Sequence, residues 1–164
     1  MNIVSVDYIL IPQLSAFASN VFIDYYISLI GFEQATYMAD LFLSENAIKQ
    51  LIDKGAIFRI IEDEKHNPLA FCEYIKEEDK TFLSKLYVKK EYRGQGLGKI
   101  MLDDCINYSR KHNSKAIYLT VNKHNTKSYE TYLHWGFTVI DAVVNDIGNG
   151  YVMDDYIMQM DLLQ

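Results

Sequence analysis

A chain of 164 residues with 49% hydrophobic and 23% charged residues has the balance of a globular protein, and a single domain over 1–164 is expected. The net charge of −6 argues against a general nucleic-acid binder, and no apolar run approaches the roughly 20 residues of a membrane helix. No signal-peptide pattern and no metal-type cysteine spacing is seen, so we expect a soluble, cytoplasmic, metal-free protein with two reduced core thiols, Cys72 and Cys105.

The N-terminal part of the chain is predicted to form one strand followed by helices. The strand covers Ile3–Ile11 and ends at Pro12, and the pattern is mostly helical over 13–53. Ser44 is a candidate N-cap for the last of these helices, and Gly55 fits its end. Three strands are predicted to follow, at Ile57–Ile61, Leu69–Ile75 and Thr81–Val88.

The C-terminal part is predicted to continue with alternating helices and strands. A helix is expected from about Gly96 to His112, a buried strand at Ala116–Val121 and a short helix at Thr126–His134. Two final strands, Thr138–Ile147 and Tyr151–Asp161, are joined by Asn149-Gly150, a strong hairpin signal because both residues tolerate positive φ. The predicted fold class is therefore mixed α/β, with more strands than helices.

A glycine-rich segment, Arg93-Gly94-Gln95-Gly96-Leu97-Gly98-Lys99, lies between a predicted strand and a predicted helix. Backbone N–H groups at such a place can converge on phosphate oxygens, and glycine lets the backbone approach a ligand closely. The spacing excludes a P-loop, since Lys99 is followed by Ile100, and it excludes a dinucleotide motif, since the third glycine comes one residue too early. A phosphate-bearing cofactor and an ordinary glycine turn both stay open.

Basic residues are concentrated around this segment in an otherwise acidic chain. They are Lys85, Lys89, Lys90, Arg93 and Lys99, against Glu91 alone. Such a patch fits a small polyanionic ligand, while an ordinary solvated loop is the alternative interpretation.

A second group of residues follows further along the chain and reads Asn-x-x-Ser-x-x-x-Tyr-x-x-x-Gly-Phe. Its positions are Asn125, Ser128, Tyr132 and Gly136-Phe137. With Leu86-Tyr-Val88 and Arg93-x-x-Gly96-x-Gly98, this group closely resembles the motifs of the GCN5-related N-acetyltransferase (GNAT) superfamily, from about Leu69 to the C-terminus.

The resemblance implies an α/β fold of the GNAT type. Its central sheet is mixed and mostly antiparallel, with about seven strands, flanking helices and a splayed parallel strand pair that holds acetyl-CoA. Within a single GNAT domain, 1–54 would supply the first strand and the acceptor-side helices, and 55–122 the sheet and the pyrophosphate loop. The second CoA motif and the C-terminal hairpin would lie in 123–164.

The resemblance also implies acetyl-CoA as the co-substrate. Its pyrophosphate is expected on the backbone amides of 93–99, at the positive end of a helix dipole. Pantetheine is expected to pair with the backbone near 86–88, where an N–H would polarise the thioester carbonyl. Asn125 would bind pantetheine or cap the following helix, and both readings stay open. The implied cofactor-binding residues are Leu86, Tyr87, Val88, Arg93, Gly94, Gln95, Gly96, Leu97, Gly98, Lys99, Asn125 and Ser128.

For the chemistry, the resemblance implies that Tyr132 is the general acid that protonates the leaving CoA thiolate. A tyrosine that only packs in the core or against CoA is the alternative. Glu73, on the strand before the splayed one, is a candidate general base that acts directly or through water, and simple surface exposure is its alternative. None of the four histidines has a partner spacing that marks it as a base.

The acceptor is expected to be a small cationic amine, bound by aromatic faces and carboxylates. The candidate substrate-binding residues, each with core packing or solvation as its alternative, are Tyr25, Tyr26, Tyr37, Asp154 and Asp155. The segments Tyr37-Met38 and Asp146–Met158 resemble bacterial PaiA-type acetyltransferases, which implies a polyamine or another alkylamine.

We expect a monomer or homodimer with no nucleic-acid or membrane partner. Two other functions stay open. One is a regulatory module that binds acyl-CoA without turnover, and the other is a peptide or protein N-acetyltransferase.

Overall fold

The computed structural model describes residues 1–162 as a mixed α/β chain. Within this range the α-helices are α1 (Ile11–Ile30), α2 (Phe32–Leu43), α3 (Glu45–Asp53), α4 (Leu97–Lys111) and α5 (Thr126–His134). The strands are β1 (Asn2–Ser5), β2 (Ile57–Glu62), β3 (Pro68–Glu77), β4 (Lys80–Val88), β5 (Ala116–Asn122), β6 (Thr138–Gly148) and β7 (Tyr151–Asp161).

The strands form one 7-stranded sheet in the order β1-β2-β3-β4-β5-β7-β6. The neighbouring pairs β1–β2, β2–β3, β5–β7 and β6–β7 are antiparallel, whereas β4 and β5 are parallel. The predicted mixed, mostly antiparallel sheet with accompanying helices is thus confirmed.

The strands β4 and β5 are paired over only a short part of their length in the described residues. In the described residues, β4 pairs with β5 through Lys80 and Ala116, Thr81 and Ile117, and Phe82 and Tyr118. Both strands continue past these pairs, β4 to Val88 and β5 to Asn122.

The chain divides into two compact units. The first unit comprises 1–75 and 85–105, and the second comprises 76–84 and the residues from 106 onward. Each unit buries apolar side chains of its own. In the first unit they include Leu14, Leu43, Ile48, Phe58, Phe71 and Met101, and in the second Ile117, Leu119, Phe137 and Met158.

The start of the chain differs from the predicted strand Ile3–Ile11. The carboxylate of Asp7 accepts hydrogen bonds from the backbone N–H groups of Ile9 and Leu10, at 3.1 and 3.3 Å, and so caps a single 3-10 turn. Pro12 lies in the first turn of α1, where its missing N–H leaves no helical bond unmade. The strand therefore ends at Ser5, and the proline begins a helix instead of closing a strand.

Most other local predictions are confirmed. Ser44 caps α3 by accepting a hydrogen bond from the backbone N–H of Ala47 at 3.2 Å. Asn149 and Gly150 both have positive φ, 55° and 78°, in the turn that joins β6 to β7. Cys72 and Cys105 are buried free thiols. No helix within 1–162 has both the length and the hydropathy that crossing a membrane requires.

Candidate functional site

The glycine loop of the first unit lies directly before α4. Gly94 and Gly96 have φ of +77° and +84°, a region that side chains with a Cβ rarely adopt. The carbonyl of Gly96 accepts the first helical hydrogen bond, from the N–H of Ile100 at 3.1 Å. The N–H groups of the first helical turn therefore have no partner within the helix, as at any helix N-terminus, and pyrophosphate binding by this loop stays a prediction. Gly98 already lies inside the helix.

Arg93, the first residue of the loop motif, joins the loop to the end of β4. Its Nε donates a hydrogen bond to the carbonyl oxygen of Val88 at 3.0 Å. Its guanidinium carbon lies 4.9 Å from the ring centroid of Tyr25, a cation–π distance. Arg93 thus provides a positive charge at the exposed loop, and its guanidinium group contacts the ring of a tyrosine of α1.

Tyr25 and Tyr26 belong to an aromatic cluster with Phe22 and Tyr87. The hydroxyl oxygens of Tyr26 and Tyr87 are 3.1 Å apart, and the Tyr25 and Tyr87 ring centroids are 5.9 Å apart. Phe22 is buried, and the three tyrosines are half-buried. The structure therefore brings two predicted substrate-binding tyrosines against Tyr87, a predicted cofactor-binding residue. Tyr37 lies on α2 and is also half-buried.

Glu73 is buried, so the alternative of simple surface exposure is wrong. Its side chain is 2% exposed and its Oε1 lies 2.5 Å from the Nζ of Lys85, whose side chain is 10% exposed. The Lys85 ammonium also lies 5.8 Å from the Phe42 ring centroid. Because β3 lies inside the sheet and is buried on both faces, alternation along it does not separate solvent from core.

The basic patch around the loop is correspondingly smaller than predicted. Lys85 contacts Glu73 instead of solvent, and Lys99 pairs with Asp103 one helical turn later at 2.6 Å. Lys89, Lys90 and Arg93 remain as exposed basic residues beside the loop.

A hydrogen-bonded group that the sequence did not reveal anchors the first half of α4. The hydroxyl of Tyr74 donates to Asp104 at 2.5 Å, and the Nε of Arg59 donates to the same Asp104 oxygen at 3.1 Å. Burial, followed by the hydrogen bond to Asp104, raises the pKa of Tyr74 above its usual range. The phenol therefore stays protonated and ties the helix that follows the glycine loop to β3. Residues this far apart in sequence carry no local signal of their pairing.

In the second unit, Asn125 caps α5. Its side chain is buried and its Oδ1 accepts a hydrogen bond from the backbone N–H of Ser128 at 3.2 Å. The capping reading of Asn125 is thus confirmed. Pantetheine binding by these two residues stays a prediction.

Tyr132 lies on α5 and is half-buried. Its ring packs at 5.8 Å from Trp135 and 5.7 Å from Phe137, measured between centroids. The backbone N–H of Phe137 donates to the Tyr132 carbonyl at 2.9 Å. The Gly-Phe end of the motif therefore fixes the tyrosine ring in the turn that ends the helix.

The adjacent carboxylates Asp154 and Asp155 differ sharply in environment. Asp154 pairs with Lys123 at 2.9 Å, and its side chain is 43% exposed. Asp155 is 3% exposed, and burial raises its pKa to about 6, with a further increase from the negative charge of Asp154 and a decrease from Lys123. The sequence did not reveal this difference, because two consecutive aspartates look equivalent in an exposed-looking segment.

The predicted site residues are divided between the units. The first unit contains Glu73, the 86–88 segment, the glycine loop and the three candidate tyrosines, and the second contains Asn125, Ser128, Tyr132 and both aspartates. Within 1–162, no three His, Cys, Asp or Glu side chains come together in a way that could hold a metal ion.

Comparison with known proteins identifies similar sequences and folds. The family model described as the acetyltransferase (GNAT) family matches residues 21–137. A search of curated proteins gives no significant match.

Solved structures match over nearly the whole chain at low sequence identity. The PaiA N-acetyltransferase from Thermoplasma acidophilum, in complex with coenzyme A, has a TM-score of 0.82 at 20% identity, covering 99% of this chain and 100% of that one. A GNAT acetyltransferase from Staphylococcus aureus Mu50 has a TM-score of 0.76 at 20% identity, covering 99% of both chains. A chimera of the spermidine N-acetyltransferase SpeG from Vibrio cholerae and hSSAT has a TM-score of 0.68 at 19% identity, covering 98% and 94%.

Proposed function

The chain belongs to the GNAT family of acetyltransferases and is an acetyl-CoA-dependent N-acetyltransferase with the GNAT fold, and we propose that its acceptor is a small cationic amine such as a polyamine. The aromatic cluster carries this proposal. It places Tyr25 and Tyr26 against Tyr87, inside the strand segment where the family resemblance locates the thioester. Half-exposed tyrosine faces attract an alkylammonium through cation–π interactions.

The names of two similar structures support the same acceptor class. One is named as a PaiA N-acetyltransferase and another as a spermidine N-acetyltransferase chimera. The sequence segments around Tyr37-Met38 and Asp146–Met158 resemble the PaiA type independently of these structures.

We further propose that the glycine loop binds the pyrophosphate of acetyl-CoA. The N–H groups at the start of α4 and the exposed Arg93 supply donors and positive charge, as a polyanion requires. Backbone groups of 86–88 would bind pantetheine and polarise the thioester carbonyl, with Asn125 and Ser128 contributing further contacts. Arg93 already holds the end of this strand through the Val88 carbonyl.

In the proposed reaction, the amine nitrogen attacks the thioester carbon within a ternary complex, and Tyr132 donates a proton to the departing sulfur. The packing of Tyr132 on Trp135 and Phe137 holds the ring in one place, as proton transfer in the transition state requires. A base must take the proton that an alkylammonium loses first, and Glu73, acting directly or through water, is a candidate, with Asp155 as the second buried carboxylate of the described residues.

The acceptor class is tested by following thiol release from acetyl-CoA with a panel of amines. The panel comprises polyamines, aminoglycosides, amino acids and peptide N-termini, together with a monoamine of the same length as spermidine. We expect the highest kcat/KM for polyamines, above that of the monoamine. Activity confined to peptides would contradict the proposal.

Two substitutions of one tyrosine test the aromatic cluster itself. Tyr26→Leu should raise the KM for the polyamine about tenfold because the ring is lost, whereas Tyr26→Phe should stay near the wild type. Tyr8→Leu, which removes an exposed tyrosine of the same unit, is the matched control. Equal effects of the leucine and phenylalanine variants at position 26 would show that the ring face does not bind the acceptor.

A further inference from the structure

Arg93 is a cation that the protein orients without compensating its charge. Its Nε donates to the Val88 carbonyl at 3.0 Å, and its guanidinium carbon lies 4.9 Å from the ring centroid of Tyr25. Both of these partners are uncharged. In the part of the chain that the structure describes, the terminal Nη groups of Arg93 donate to no protein group and no carboxylate pairs with them. The guanidinium therefore has donors and a full charge to offer an anion.

Two other cations of the first unit are held by carboxylates. Lys99 pairs with Asp103 at 2.6 Å, and Arg59 pairs with Asp104 at 3.1 Å. A carboxylate fixes a cation but also offsets its attraction for a second anion. A ring face and a carbonyl fix a guanidinium and leave its net charge unchanged. Arg93 is thus suited to an external anion in a way that Lys99 and Arg59 are not.

The ring of Tyr25 is itself held in a defined orientation. Its centroid lies 5.0 Å from that of Tyr26 and 5.9 Å from that of Tyr87, with interplanar angles of 76° and 60°. The hydroxyl oxygens of Tyr26 and Tyr87 are 3.1 Å apart. Edge-to-face contacts of this kind restrict the rotation of each ring. The half-buried Tyr25 ring therefore gives the guanidinium a fixed surface to lie on.

The backbone of Arg93 is held as well. Its N–H donates to the Lys90 carbonyl at 3.3 Å and so ends the short 3-10 turn before the loop. At the start of that turn, the N–H of Lys89 donates to the Leu69 carbonyl of β3 at 2.9 Å. All of these residues belong to the first unit. The position of Arg93 at the start of the glycine loop is therefore fixed at both its backbone and its side chain.

Resting on the proposed binding of the acetyl-CoA pyrophosphate by the glycine loop, we infer that Tyr25 is a positioning residue for the cofactor. It holds the Arg93 guanidinium over its ring, so that the Nη groups are ordered before the pyrophosphate arrives and less conformational entropy is lost on binding. An acceptor ammonium on the same ring would lie beside the guanidinium and be repelled by it. Tyr25 therefore serves the donor, and Tyr26 is the tyrosine of the cluster that serves the acceptor.

A double-mutant cycle on the Kd for CoA, measured by calorimetry, tests this role. Tyr25→Leu should raise the Kd about fivefold, and Arg93→Met about 30-fold. The double variant should match Arg93→Met within about twofold, because Tyr25 has no guanidinium left to position. Tyr8→Leu, which removes an exposed tyrosine of the same unit, is the matched control and should retain the wild-type Kd.

A second series changes the ring face at position 25 and keeps its size. Tyr25→Phe should retain the Kd within about twofold. Phenylalanines with one, two and three ring fluorines at this position should then raise the Kd stepwise, because fluorine withdraws electron density from the face that attracts the guanidinium. The same series in the Arg93→Met background should give a constant Kd. A constant Kd in the presence of Arg93 would overturn the inference.

The KM for a polyamine at saturating acetyl-CoA separates this role from acceptor binding. Tyr25→Leu should leave this KM within about twofold of the wild type, unlike Tyr26→Leu. Additive losses in the double variant, or a polyamine KM raised about tenfold in Tyr25→Leu, would overturn the role of Tyr25 and leave the proposed function intact. Wild-type CoA affinity in Arg93→Met would overturn both the inference and the part of Arg93 in the pyrophosphate site.

Discussion

The β3–β4 region and the C-terminal strand β7 each contain a buried carboxylate, but the charges around the two carboxylates differ. Glu73 is held against Lys85, whereas Asp155 has only an uncharged asparagine and valine directly across the ladder. The first arrangement compensates its charge when the protein folds. In the second, Lys123 only partly offsets the burial of the carboxylate and the charge of Asp154, so the pKa of Asp155 is raised to about 6. Such a raised pKa is more typical of binding and catalytic sites than of structural ones.

Other polar groups of the first unit are also paired within the protein. In the first unit, Tyr74, Asp104 and Arg59 form a compact hydrogen-bonded group, and Arg93 is fixed by Val88 and Tyr25. These groups position a helix and a loop. Asp155, in contrast, is a buried carboxyl group that can gain or lose a proton near neutral pH, because its pKa is raised to about 6. Substitutions in the two regions should therefore differ in kind as well as in size.

The largest change in free energy is expected from Glu73→Gln, as a loss of stability. Removing the carboxylate leaves the Lys85 ammonium buried beside an amide, so the free energy of unfolding should fall by about 3 to 5 kcal/mol. Urea denaturation at pH 7 measures it, and the double variant Glu73→Gln with Lys85→Met should recover part of the loss. Unchanged stability, combined with a pH–rate profile that loses a limb, would instead assign Glu73 the role of base.

Tyr132→Phe should act on turnover alone. The ring keeps its packing on Trp135 and Phe137, so stability and acetyl-CoA affinity should stay near the wild type. Without the phenol proton, kcat should fall about 100-fold, which corresponds to about 2.7 kcal/mol. Steady-state kinetics and CoA titration measure both quantities, and unchanged turnover would remove Tyr132 from the mechanism.

Asp155→Asn should stabilise the protein at high pH, opposite in sign to Glu73→Gln. The pKa of Asp155 is raised on folding from 3.8 to about 6, so the folded state binds the proton more tightly and stability falls as pH rises between these values. The asparagine variant avoids this cost and should be more stable by about 2 to 3 kcal/mol at pH 8.

The difference between Asp155→Asn and the wild type should shrink to below about 1 kcal/mol towards pH 4, where the aspartate is neutral in the folded state and about half ionised in the unfolded state. Urea denaturation of both proteins at the two pH values provides the measurement. A variant that is less stable than the wild type at pH 8 would show that the carboxylate has a compensating partner.

The smallest effect is expected in the glycine loop. Gly96→Ala places a Cβ at φ of +84°, which should cost about 1 to 2 kcal/mol and weaken acetyl-CoA binding. Gly98→Ala lies within α4, where alanine should add up to about 1 kcal/mol of stability. Thermal unfolding distinguishes the two, and equal shifts would mean that backbone conformation is not what Gly96 provides.

Local sequence patterns predicted the helix bounds correctly where interactions between residues close in sequence determine them. The helix Thr126–His134 agrees with its predicted bounds because Asn125 caps it and Gly136 follows it. The N-terminal strand was wrong because the pattern of apolar residues outweighed the Asp7 cap and the preference of proline for a first helical turn. Hydrophobic periodicity alone does not distinguish these cases.

Contacts between distant residues could not be predicted in this way. The cation–π contact of Arg93 with Tyr25 joins a loop to a helix that lies far earlier in the chain. The burial of Glu73 depends on the place of β3 inside the sheet, and the contrast between Asp154 and Asp155 depends on which face of β7 each one occupies. Both facts are properties of the assembled sheet, not of any single segment.

The Asn149–Gly150 turn determines which side chain of β7 is buried in the second unit. Its length sets the register of β7 against β6, and a strand slipped by one residue presents every side chain to the opposite face. A single inserted residue that shifted the strand by one position would turn Asp155 towards α5 and give Asp154 its former place opposite Val143, whereas a single deletion would place Tyr156 there. Turn length is thus a one-step means of exchanging the side chain that is buried at this position, without any substitution in the strand itself.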